Sequence, residues 1–283
     1  MRRRLDVELV RRGLAPSRAQ AVDAIVSGRV TVSGNPTTTA ARQVDTAEPI
    51  VVAEPATGEA FVSRGGNKLA GALDAFAVDV TGARAVDVGS STGGFTDCLL
   101  RRGAEHVTAI DVGTNQLAWS LRNDARVTVM ERTNVRALEP GAVDPPAAVC
   151  VTDVSFISLV TVAPSLLALT SEDATFVLLV KPQFEAGRAR LGKGGIVREA
   201  VVHDAVLHEV VDGLDNIGLG VGAVVASPLR GADGNIEFFV HARRARADLA
   251  SDAIARVVAD AHEVAGPGAD AEARTVGQGS TAC

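Results

Sequence analysis

From Ala83 onward, short apolar runs alternate with longer stretches in which apolar residues recur every three or four positions. The runs at Ala85–Val88, Val107–Asp111, Val127–Glu131, Ala148–Asp153 and Thr175–Lys181 predict strands. Two further strands, near Val221–Ala226 and Asn235–His241, follow a helix expected at about 199–216. Strands separated by amphipathic helices pack as a mostly parallel, doubly wound α/β sheet, because each crossover lays a helix on one face. The final pair of strands has no helix between its members and predicts an antiparallel hairpin at one edge.

Ahead of this pattern lies a smaller one. Leu5, Leu9, Val10 and Leu14 recur at helical spacing, and Gly13 ends that helix. Pro16 and a Ser17-Arg18-Ala19-Gln20 capping box open a second helix with Ala21, Ile25 and Val26 inward, and Gly28 closes it. Val30–Val32 follows as a strand and Ser33-Gly34-Asn35-Pro36 as a turn. The periodicities divide the chain into a small α+β unit at 1–55, a linker at 56–66, a large α/β unit at 67–245 and an acidic tail at 246–283. Helical spacing in the tail at Ile254, Val257 and Val258 dissolves after Gly266, where disorder is expected.

Composition narrows the class. The longest apolar runs, such as Phe176–Val180, are too short to span a bilayer, and the first residues lack the apolar core of a signal peptide. Cys98, Cys150 and Cys283 have no paired spacing, and the five histidines show no metal-ligand spacing. The expectation is a cytoplasmic protein with no metal site and no membrane partner. Charge then separates the two units. Residues 1–30 carry Arg2, Arg3, Arg4, Arg11, Arg12, Arg18 and Arg29 against Asp6, Glu8 and Asp23, whereas the whole chain is formally −6. A basic head on an acidic body suits a polyanion, although a solvated helix face accounts for the arginines equally well. Of 28 basic residues only Lys68, Lys181 and Lys193 are lysine. Against so strong a preference for arginine, a retained lysine marks a place where a compact, titratable ammonium matters.

The run Asp87-Val88-Gly89-Ser90-Ser91-Thr92-Gly93-Gly94-Phe95-Thr96-Asp97 lies where the first strand of the large unit meets its first crossover helix. Small residues there let a ligand approach the backbone, and the helix start offers free N–H groups. Two cofactors compete. A dinucleotide site needs G-x-G-x-x-G, but residues 89–94 read G-S-S-T-G-G, and Asp87 would face the diphosphate. A carboxylate beside the loop favours a ligand bearing a sulfonium, S-adenosylmethionine. The expected cofactor shell is Asp87, Gly89, Ser90, Ser91, Thr92, Gly93, Gly94, Phe95, Asp111, Asn134 and Asp153, with Asp111 facing the ribose hydroxyls.

Candidate chemistry gathers at the same sheet edge. Asp153 ends the fourth strand and Lys181 the fifth, and each interrupts an apolar run. Glu237 lies in the last strand, and Lys68 begins the first helix of the large unit. A strand-end salt bridge explains any one of these singly. Two of three lysines converging with two carboxylates point instead to a site.

Here the chain resembles a known family. Ser63-Arg64-Gly65-Gly66-Asn67-Lys68, the run from Asp87 to Asp97, Thr152-Asp153-Val154-Ser155-Phe156-Ile157-Ser158 and Leu179-Val180-Lys181-Pro182-Gln183-Phe184-Glu185, behind a basic start, look together like the TlyA family. The likeness runs from residue 1 to about 244, and Ser90 stands where a small apolar residue is also common. Members of that family are named as haemolysins or as ribosomal RNA 2′-O-methyltransferases. The resemblance implies an S4-like RNA-binding domain joined to an FtsJ-like, Rossmann-like seven-stranded methyltransferase fold. It also implies a Lys-Asp-Lys-Glu tetrad at Lys68, Asp153, Lys181 and Glu237, acting on a ribose 2′-hydroxyl, with cytidines of small- and large-subunit rRNA as targets. Lys181 would orient and deprotonate the hydroxyl, Asp153 would position Lys181 and lie near the donor methyl, and Lys68 with Glu237 would complete a hydrogen-bonded ring.

The glycine-rich stretch 184–195 suits a loop closing on RNA phosphates, or a plain solvated loop. Arg64, Arg188 and Lys193 therefore join the arginines of residues 2–29 as expected RNA contacts. Phe156 and Phe184 are placed to stack an unpaired base, although packing in the core is the commoner role of such residues. Three other readings fare worse. A nicotinamide oxidoreductase lacks an identifiable hydride-site acid. An RNA-binding adaptor without catalysis leaves the strand-end charges unused, and a membrane-active haemolysin has no apolar span.

Overall fold

The computed structural model describes residues 2–15, 18–26, 28–53, 61–192, 194–231, 234–245 and 249–263. Pro16 and Ser17 of the expected capping box, most of the expected linker, Lys193 and the end of the tail lie outside the described residues.

The small unit runs β1 (Arg2–Arg4), α1 (Leu5–Arg11), α2 (Arg18–Val26), β2 (Val30–Val32), β3 (Asn35–Pro36), β4 (Gln43–Asp45) and β5 (Ile50–Val52). β1 pairs with β4, and β2 lies between β3 and β5. Leu5, Leu9, Ala21, Ile25, Val30, Val32 and Val44 form its core. Leu14, expected inward, is exposed, because α1 stops at Arg11 and Gly13 turns the chain through a φ of +70°. The expected turn at Ser33–Pro36 is shorter than the sequence suggests: Ser33 and Gly34 reverse the chain and Asn35–Pro36 already pair with β2. β1, β4 and β5 are further three-residue strands beyond those expected; Arg2–Arg4 and Gln43–Asp45, unlike Val30–Val32 of β2, carry no β-branched run.

The large unit comprises α3 (Gly65–Ala75), β6 (Arg84–Val88), α4 (Gly94–Arg101), β7 (His106–Ile110), α5 (Trp119–Arg122), β8 (Val127–Met130), β9 (Ala147–Thr152) and α6 (Leu159–Ala168). It continues through β10 (Thr170–Val180), α7 (Pro182–Glu185), α8 (Ala200–Asp215), β11 (Gly220–Ala226), β12 (Phe238–Arg243) and α9 (Ala253–Glu263). The seven-stranded sheet has the order β11-β12-β10-β9-β6-β7-β8, with β12 alone antiparallel to its neighbours. This is the doubly wound, Rossmann-like α/β fold. One face is buried by α6, α8 and α9, the other by α3 and α4.

Three details position the site. The strands end one residue earlier than their apolar runs suggest, so Asp111, Glu131, Asp153 and Lys181 hang just beyond β7, β8, β9 and β10. β12 inserts between β11 and β10, and its first residue, Phe238, pairs with Val180. Glu237, expected inside the last strand, therefore sits immediately before it and level with Lys181. Residues assigned to flanking segments also belong to the body. Phe61 and Val62 pack against its core, where the Arg101 guanidinium lies 5.1 Å from the Phe61 ring centroid. Ile254 and Val258 of α9, in the expected tail, are buried against the opposite face.

Candidate active site

Two ion pairs form the centre. Lys181 Nζ lies 2.5 Å from Asp153 Oδ1 and donates a hydrogen bond of 2.9 Å to Ser155 Oγ. Lys68 Nζ donates to Glu237 Oε2 at 2.5 Å, with both side chains almost wholly buried. The two residues of each pair come from distant parts of the chain, and local packing explains how they meet. α3 and α4 approach so closely that a Cβ on Gly94 would lie 2.8 Å from the Gly66 nitrogen, which brings the start of α3, and Lys68 with it, over the sheet edge. Gly231 leaves room for Glu237, whose Oε1 would lie 2.5 Å from a Cβ there. Lys68 and Asp153 line one cavity together with Ser90, Ser91, Thr92, Gly94 and Phe95, while Val22 and Val26 of α2 close it from the small unit.

A second cavity, of about 460 Å³, shares Ser91 and Asp153 with the first and extends over Gly89, Asp111, Gln116, Asn134 and Phe156. Its size suits a small-molecule ligand. Asp111 shapes the wall: its Oδ2 accepts from the Ser91 N–H at 2.8 Å and its Oδ1 from the Gly113 N–H at 2.6 Å. Each carboxylate oxygen keeps a lone pair for a ligand hydroxyl. Gly89 is required by geometry. Its φ is +86°, and a Cβ would meet the Asp153 carbonyl oxygen at 2.6 Å. The loop thus leaves an open cradle of backbone between two carboxylates, a fit for a nucleoside carrying a positive sulfonium. Gly89→Ala is expected to destabilise the fold by about 1–3 kcal/mol and to weaken S-adenosylmethionine binding. Thermal unfolding and calorimetric titration check both effects; an unchanged titration would remove Gly89 from the cofactor site.

Two members of the expected cofactor shell lie beneath it. Asp87 is fully buried and lines neither cavity. Burial pushes its carboxyl up to about 7, Thr96 Oγ1 donates to its Oδ2 at 2.7 Å, and its Oδ1 has no partner among the described residues. It pairs with Ala109 and Val151 one residue before β6 ends, and there its side chain accepts from Thr96 and anchors α4 beneath the loop. Gly93 likewise serves the turn, with φ +95° and Leu121 close against it.

The arginines of the small unit are less free than their sequence suggests. Arg4 and Arg18 bind Asp6, while Arg11 and Arg12 bind Glu8, whose carboxyl they hold down at about 2. Arg12 also donates to the carbonyls of Glu48 and Thr46, so it ties α1 to the β4–β5 turn and is withdrawn from an RNA-facing surface. Arg2, Arg4, Arg11 and Arg18 are exposed; Arg3 and Arg29 are half-buried. Arg188 is exposed, and Arg64 lines the first cavity.

Phe156 departs furthest from expectation. Instead of packing in the core it is 90% exposed with φ +63°, at the rim of the second cavity and 4.9 Å between centroids from Phe184. Ser155, Gln116 and Arg230, which also shape the two cavities, carry no signal in the sequence beyond their neighbourhood of the motifs.

The comparisons agree with this geometry. Residues 61–244 match the FtsJ-like methyltransferase family and residues 3–50 the S4 domain. The 16S/23S rRNA (cytidine-2′-O)-methyltransferase TlyA of Mycobacterium tuberculosis is 50% identical over 243 residues, covering 86% of this chain and 90% of the relative. The chain belongs to the TlyA family. YqxC of Bacillus subtilis, named as an rRNA methyltransferase, is 44% identical over 266 residues, covering 92% of this chain and 94% of its own. A solved structure from Streptococcus thermophilus, named as a haemolysin, superposes with a TM-score of 0.74 at 38% identity, covering 93% of this chain and 96% of that one. The TlyA family thus accounts for both the small basic unit and the methyltransferase body.

Proposed function

We propose that this chain methylates the ribose 2′-hydroxyl of cytidine in ribosomal RNA of the small subunit, the large subunit or both, in the cytoplasm, with S-adenosylmethionine as donor. The observation that carries this reading is the pair of ion pairs, Lys181–Asp153 and Lys68–Glu237, at the edge where the cofactor cradle opens. When bound, the cofactor supplies an electrophilic methyl group on a sulfonium. Gly89, Asp111 and Asn134 would hold its nucleoside end, and Asp153 would stand beside the charge. A ribose hydroxyl is a poor nucleophile until its proton is drawn away, and transfer requires the oxygen in line with the methyl carbon. Lys181 Nζ, fixed between Asp153 and Ser155, is the group placed to orient that hydroxyl; after its ammonium sheds a proton to solvent, the neutral amine can take the hydroxyl's proton as the O–CH3 bond forms and the S–CH3 bond breaks. Lys68, held by Glu237, lines the first cavity with Asp153, the partner of Lys181, and would fix the sugar from the other side.

The direct test is incubation with labelled donor and separated ribosomal subunits, followed by mapping of the modified nucleotide. A 2′-O-methylcytidine in rRNA is the expected product; label in neither subunit overturns the reading. Removing residues 1–55 should leave the cofactor affinity intact, weaken subunit capture and reduce its salt dependence. Equal capture by the truncated chain would remove the small unit from substrate binding.

A further inference from the structure

Two guanidinium groups stand at the mouth of the catalytic cavity. Arg64, just before α3, and Arg230, in the turn between β11 and β12, line it together with Lys68 and Asp153. Arg64 Nη2 donates to the Arg230 carbonyl oxygen at 3.3 Å, and Arg230 Nη1 donates to the Gly234 carbonyl oxygen at 3.2 Å. These contacts tie the Arg64 side chain to the backbone of the Arg230 turn and the Arg230 side chain to its own loop, and no carboxylate among the described residues pairs with either. The catalytic cations differ in this respect. Lys68 is neutralised by Glu237 and Lys181 by Asp153, each at 2.5 Å, so the four groups together present no net charge to an anion.

A strand that brings its ribose to Lys181 brings its phosphodiesters too, and each needs a counter-charge where water is excluded. Val22 and Val26, which line the cavity from the small unit, supply none. A guanidinium with unused N–H groups in a planar fork matches phosphate oxygens bidentately, which a point-like ammonium does not. Arg230 also lines an adjoining cavity with Glu237 and Asp260, where the Asp260 carboxylate disfavours a second phosphate. The favourable position for an anion is therefore on the Arg64 side of Arg230.

We propose that Arg64 and Arg230 form a clamp for an RNA phosphodiester beside the methylated ribose; the assignment of the anion as RNA rests on the function proposed above. The clamp sets the depth to which the strand enters, and thereby the approach of the hydroxyl to Lys181.

The test measures binding of a single-stranded oligoribonucleotide and of separated ribosomal subunits across a salt series. Arg64→Gln and Arg230→Gln should each weaken binding about tenfold at low salt and flatten the slope of log K against log salt by about 0.7. Cofactor affinity should stay unchanged, and Arg230→Lys should restore the slope but only part of the affinity. Both residues are at the cavity mouth, and unchanged thermal unfolding of the variants separates lost contacts from lost structure. Wild-type slopes and affinities in both glutamine variants overturn the clamp. If the wild-type chain methylates no subunit while the variants still lose oligonucleotide affinity and slope, the clamp stands and the proposed function falls.

Discussion

Lys181→Ala is expected to lower methyl transfer to rRNA by about a thousandfold or more, the loss typical of a positioned proton acceptor that also orients its nucleophile. The cofactor should bind as before. Lys181 lines neither of the two cavities, and Gly89, Asp111 and Asn134 remain in place. Removal of the ammonium even leaves Asp153 with its charge uncompensated beside the sulfonium, so affinity for the donor should hold or rise. Lys181→Arg sharpens the assignment. Arginine keeps the charge and can still pair with Asp153, but it does not shed a proton at any working pH. Loss of turnover in both variants, in single-turnover assays with saturating subunits, supports proton transfer to Nζ. Activity in Lys181→Arg above about a tenth of wild type would sink that role while leaving Lys181 as an orienting group.

Much of this site is legible in the sequence alone. The charges at Asp153 and Lys181 stand out because a parallel sheet buries its strands on both faces, so an ionised residue at the end of an apolar run has few places to go except the ligand-binding edge. Lys68 was legible for a different reason, the scarcity of lysine in an arginine-rich chain. Glu237 required topology that periodicity does not encode. Only the insertion of β12 between β11 and β10 brings it level with Lys181. The burial of Asp87 was equally hidden, because the motif specifies a carboxylate but not which side of the loop it serves. Arg230 left no mark at all, since an isolated arginine in a turn resembles any solvated residue until the fold brings it to Arg64. The partnered arginines of the small unit show the converse: Arg4, Arg11, Arg12 and Arg18, read as part of a basic face, are paired with Asp6 and Glu8.

The Lys68–Glu237 pair makes the second large prediction, because it combines a structural cost with a chemical one. Glu237 is 3% exposed and Lys68 11%, so neither charge is relieved by solvent. Lys68→Ala strands a buried carboxylate and should cost about 3–5 kcal/mol, roughly 10 °C in melting temperature. Glu237→Ala should cost less, because the longer lysine can swing its ammonium toward the open cavity while its methylenes stay packed. Exchanging both for apolar residues, Lys68→Met with Glu237→Leu, removes both charges at once and should recover most of the lost stability. Methyl transfer should not return with it, because the hydroxyl would then have lost one of the groups that fix the sugar. Thermal melts and turnover of the two single variants and the double variant complete the cycle. A double variant as unstable as Lys68→Ala would show that shape, not charge, governs the pair. One that regained both stability and turnover would make Lys68 and Glu237 a strut of the fold, with the chemistry left to Lys181 and Asp153.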